Sequence, residues 1–84
     1  MKTKLYRAIL LALNQCDGVP MPEAALFSAA SLLCRPDEPT PGEIADAIQD
    51  LATAGHIDGT TDDLVKTRVW LLTAKGILKA RALR

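Results

Sequence analysis

The chain has 84 residues, ten basic and ten acidic, and 49% of it is apolar. That length fits one domain, read over residues 1–84, and the apolar share excludes global disorder. The net charge is zero, but the charges are segregated along the chain.

The predicted elements begin with a helix over residues 3–15, where Leu5, Ile9 and Leu13 recur every fourth position beside Tyr6, Leu10 and Ala12. The opposite stripe is Lys4, Arg7, Leu11 and Asn14, so this helix is apolar on more than one face. Asp17-Gly18 supplies its stop. The longest apolar run covers residues 8–13, far short of the roughly 20 residues a bilayer crossing needs. That run is also too short and too interrupted for a signal peptide, so the expected location is the cytoplasm, with no membrane partner. Cys16 and Cys34 lack metal-type spacing and are expected as free, buried thiols.

Val19-Pro20-Met21 reads as extended, and Pro22 and Glu23 open a second helix running to about Leu33. Its expected apolar face is Leu26, Phe27, Ala30 and Leu33. A proline-rich connector over residues 35–39 leads to Thr40-Pro41-Gly42-Glu43. This is a capping box: the threonine hydroxyl accepts from the glutamate amide, and the glutamate carboxylate reaches back to the threonine amide. The third helix, over residues 41–54, is expected to bury Ile44, Ala45, Ile48, Leu51 and Ala52 and to end at Gly55 in a left-handed turn. His56-Ile57-Asp58 starts a strand, residues 59–65 read as a hairpin tip, and residues 66–72 form the return strand. Thr73 caps a last helix over residues 74–83.

Leu51-Ala52-Thr53-Ala54-Gly55-His56-Ile57 and Leu72-Thr73-Ala74-Lys75-Gly76 lead out of the third helix and into the last one. In order of elements and in these two motifs the chain resembles winged-helix repressors of the MarR and PadR kinds. The resemblance implies a mainly α, α+β winged helix-turn-helix: a three-helix core, a wing sheet of two or three strands and a C-terminal helix. It also implies a DNA-associated transcriptional regulator, with residues 41–54 as recognition helix and 59–67 as wing; a dimer is expected separately, by pairing through the terminal helices over Leu11 and the apolar far side of residues 8–13. The long connector before the third helix departs from a tight helix-turn-helix turn.

Charge is segregated along the chain: residues 1–16 carry +3, residues 17–63 carry −9 and residues 64–84 carry +6. With Ile44, Ile48 and Leu51 inward, the third helix turns Glu43, Asp46 and Asp50 to solvent and has no Lys or Arg. Those carboxylates disfavour groove reading by this helix, because phosphates require an attractive field. Candidate nucleic-acid contacts are therefore Lys66, Arg68, Lys75, Lys79, Lys4 and Arg7. Candidate partner-binding residues are Glu43, Asp46 and Asp50, for a protein partner or self-association. Alternation along Val69-Trp70-Leu71-Leu72 also leaves one apolar strand face needing cover. His56 is expected to be structural, and no titratable pair has catalytic spacing. The expectation is a non-enzymatic protein with no cofactor and no metal: a DNA-associated regulator using the wing return strand and terminal cations, or a protein-interaction adaptor using the acidic helix or the apolar strand.

Overall fold

The structure is a computed structural model that describes residues 2–16, 19–35, 37–62, 64 and 66–82, with all of their side chains except those of Lys2 and Asp62. The chain is a mainly helical α+β fold: α1 (Lys2–Asn14), β1 (Met21–Pro22), α2 (Glu23–Leu33), α3 (Pro41–Thr53), β2 (Ile57–Asp62), β3 (Thr67–Leu72) and α4 (Ala74–Ala82). The stops expected at Asp17-Gly18 and at Leu83 lie outside the described residues.

Helix α1 is the central element and contacts α2, α3, α4 and β3. This explains its apolar breadth: Leu5, Ala8, Ile9, Leu10, Ala12 and Leu13 are all buried. Around them pack Leu26 and Ala30 of α2, Ile44, Ala47, Ile48 and Leu51 of α3, Ile57 of β2, Trp70 of β3 and Ala80 of α4. Ala47 replaces the expected Ala45, which is exposed. The stripe from Ile44 runs i, i+3, i+4, i+7, and the next residue along turns about 100° away from it. Leu33 is likewise exposed and Phe27 half-buried, so α2 buries a narrower stripe than its composition indicates.

The sheet is antiparallel with order β1-β3-β2, so β3 is the middle strand. Met21 pairs with Trp70, and the β2–β3 ladder runs from Ile57↔Leu72 to Asp62↔Thr67. Pro22 belongs to edge strand β1 and is the N-cap of α2, which begins at Glu23. Two prolines without N–H groups, Pro20 and Pro22, restrict this edge to two residues.

The hairpin tip is shorter than residues 59–65. Strand β2 continues through Gly59-Thr60-Thr61-Asp62 because each of these pairs with β3. Gly59 sits directly opposite Trp70, and a Cβ at Gly59 would lie 2.6 Å from the indole Cζ3. The glycine is there to admit the ring, not to turn the chain.

Candidate functional site

Helix α3 starts with the capping box read from the sequence. The Glu43 amide donates to Thr40 Oγ1 at 3.2 Å, and the Thr40 amide donates to Glu43 Oε1 at 3.0 Å. With the inward stripe fixed by the core, Glu43, Asp46 and Asp50 are exposed on the outer side, next to exposed Gln49 and Thr53. The three carboxylates differ in their commitments. Glu43 is held by the cap, and Asp50 Oδ2 accepts a hydrogen bond from the Tyr6 hydroxyl at 2.6 Å.

The six candidate cations are all exposed and differ in their neighbours. Lys4 Nζ donates to Asp37 Oδ2 at 2.7 Å, and that contact holds the Asp37 carboxyl below the usual carboxylate range. Lys75 Nζ donates to the Ala54 carbonyl at 2.9 Å, meeting the carbonyl-rich exit of α3. The Arg68 guanidinium lies over the Trp70 ring, 5.5 Å from its centroid. Lys66 is exposed beside the hairpin tip, at φ 53°. Arg7 and Lys79, from the two terminal helices, share one groove. The side chain of Lys2, and all of Arg84 and Asp63, lie outside the described residues.

The two sequence motifs meet at one junction. Gly55 takes φ 84°, and its carbonyl accepts from Thr73 Oγ1 at 2.6 Å. The same hydroxyl accepts from the Gly76 amide at 3.1 Å, capping α4. The Thr73 amide donates to the His56 carbonyl at 3.1 Å. Gly76 lies so close to that carbonyl that a Cβ there would overlap its oxygen. Both motif glycines are thus explained by backbone geometry at the start and end of the hairpin.

The groove above this junction lies between α1, α3 and α4 and has a volume of about 440 Å³. Leu10, Leu51 and Ala54 supply apolar lining, Tyr6 and His56 supply rings, and Arg7, Lys79 and Asp50 supply charge. Burial first, then the nearby Lys75 and Lys79 ammonium groups, hold the His56 imidazole below its ordinary pKa. Its Nδ1 is buried with no hydrogen-bond partner among the described residues. Charge patterning pointed to Arg7 and Lys79, but nothing local in the sequence marked Leu10, Ala54 or His56 as their neighbours.

Beyond the hairpin, Leu71 and Leu72 line a depression with Leu13, Asn14, Val19, Ile77 and Arg81, so the outer side of β3 is partly covered. Cys16 and Cys34 are both free thiols, and burial pushes the Cys34 thiol up. Among the described residues no three His, Cys, Asp or Glu side chains cluster as metal ligands, and no helix is long and apolar enough to cross a membrane. The sequence matches no protein-family model and no curated protein.

Proposed function

We propose that this chain is a non-catalytic, cytoplasmic domain of the winged-helix kind that binds a protein partner through the outer face of α3. The observation that carries this reading is the exposed carboxylate row Glu43, Asp46 and Asp50 on a helix without one Lys or Arg. A phosphate backbone brought to that face meets like charge, whereas a partner offering Lys or Arg meets complementary charge. Lys4, Arg68 and Lys75 each have a contact within the fold, which a phosphate would have to compete with or share.

The deciding experiment is capture of partners from the source cytoplasm on immobilised wild-type chain and on the Asp46→Lys variant. Asp46 is the residue to change because Glu43 caps the helix and Asp50 bonds Tyr6. A specific partner retained by wild type and lost by a folded D46K supports the reading. Capture indifferent to D46K overturns it. Light scattering at low and moderate salt identifies the case in which the partner is a second copy.

A second reading rests on a separate observation: Lys66 is exposed beside the hairpin tip, with Arg68 on the same strand side as Trp70. A DNA-associated transcriptional regulator would use this wing with Arg7 and Lys79, leaving α3 away from the groove. Anisotropy with generic duplex tests it, since phosphate contact makes affinity fall steeply with salt. No binding at low salt ends this second reading.

A further inference from the structure

The groove between α1, α3 and α4 is built more like a small-molecule site than like a gap between helices. Its volume of about 440 Å³ falls within the range of ligand pockets, and its lining is mostly apolar with a few polar groups, the usual make-up of such sites. Two cations converge on it from helices far apart in sequence, Arg7 on α1 and Lys79 on α4. Neither is paired with a carboxylate among the described residues, in contrast to Lys4 with Asp37. The single acid of the lining, Asp50, lies on the α3 side, where the Tyr6 hydroxyl holds it. His56 adds a ring whose buried Nδ1 lacks a partner among the described residues.

We propose that this groove binds a small amphipathic carboxylate, with its anionic head between Arg7 and Lys79 and its apolar body over Tyr6 and Ala54, above the buried Leu10 and Leu51. Charge sets the orientation. The head is drawn to the paired cations and repelled by Asp50, so the tail lies along the α3 wall. The His56 ring is held uncharged by burial and by Lys75 and Lys79, so it contributes a flat, weakly polar wall and no third positive charge. A neutral ligand of the same shape would bury the same apolar area and could still accept hydrogen bonds, but it would lack the attraction between opposite charges at Arg7 and Lys79. The head group is therefore the source of selectivity. This proposal is independent of whether α3 binds a protein partner.

The test is a titration of the full chain with octanoate, and in parallel with octanamide, followed by amide chemical shifts and by calorimetry. The expected result is saturable octanoate binding, with shifts on α1, α3 and α4 around the groove. Octanamide is expected to bind roughly tenfold more weakly, because its head carries no charge to pair with Arg7 and Lys79. The pair Arg7→Gln and Lys79→Gln should weaken octanoate by roughly tenfold or more and octanamide by clearly less. Ala54→Leu, which fills the groove from an exposed position, should abolish both. Asp46→Lys, which is outside the groove, should leave both titrations intact and so separates this site from the partner-binding face. Absence of octanoate binding to wild type overturns the proposal. So does equal affinity for the amide, or a shift pattern centred on Leu71 and Ile77.

Discussion

Gly59→Ala sets two physical effects of opposite sign against each other. Replacing a strand glycine by alanine removes backbone freedom from the unfolded chain, a gain of about 0.5–1 kcal/mol when nothing else changes. Here the new methyl would lie 2.6, 2.8 and 2.9 Å from Cζ3, Cε3 and Cη2 of Trp70. Carbon atoms in contact sit about 3.5–4.0 Å apart, so the indole must retreat by about 1 Å. It has nowhere easy to go, being only 4% exposed and capped by the Arg68 guanidinium. Overpacking of this kind costs about 1–3 kcal/mol. The clash therefore wins, and G59A should be less stable by about 1–2 kcal/mol. For a chain this size that lowers Tm by roughly 4–16 °C. Urea unfolding followed by the emission of Trp70, the one tryptophan, reads both the stability and the displaced ring. Combining the change with Trp70→Phe, which removes most of the clashing ring edge, should make Gly59→Ala neutral or favourable. A G59A protein as stable as wild type, or a cost that persists undiminished in the Trp70→Phe background, would refute the steric account.

Gly76→Ala should be the most damaging glycine substitution, because its Cβ meets backbone at His56 and not the tip of a side chain. A loss of about 3 kcal/mol or more is expected in chemical denaturation. Gly42→Ala, whose Cβ would meet only Thr40 Oγ1 at 3.9 Å, should be neutral or stabilising by up to about 1 kcal/mol in the same assay. Thr40→Ala removes the hydroxyl half of the capping box and should cost about 1 kcal/mol by thermal unfolding. The lowered pKa of His56 means that the unfolded chain takes up its proton first as pH falls. Its contribution is fully present above about pH 6.5 and is lost as pH drops below that value, so Tm should fall between pH 7.5 and 5.5. His56→Gln should flatten that slope, and an unchanged slope counts against the assignment.

The elements legible in the sequence were those whose signals are local. Thr40 and Glu43 lie three residues apart and satisfy one another, so the start of α3 needs nothing from the rest of the chain. Gly55 and Thr73 mark the ends of helices for similarly local reasons. The outward orientation of Glu43, Asp46 and Asp50 follows from helical period plus a buried Ile44, Ile48 and Leu51. What was not legible depended on tertiary partners. Gly59 resembles a turn residue until Trp70 is seen across the ladder. Lys4 and Lys75 look like free surface charge until Asp37 and the Ala54 carbonyl are placed beside them, across 33 and 21 residues of chain. The groove draws Arg7, Leu51 and Lys79 from three separate helices, and no window of sequence contains them together.

The knot formed by Gly55, His56, Thr73 and Gly76 closes the hairpin at its root, not at its far end. Those contacts tie the start of β2 to the exit of β3 through backbone groups and the Thr73 hydroxyl, so the root does not depend on the residues of the tip. The β2–β3 arm can therefore be lengthened in matched steps, one extra pair of residues per strand, without disturbing the helices behind it. An unmatched single insertion in β3 is different, since alternation would carry Trp70 to the opposite side of the sheet. The far end of the arm is thus free to vary in reach and surface character, while its root, with Ile57 and Trp70 in the core, belongs to the body of the protein.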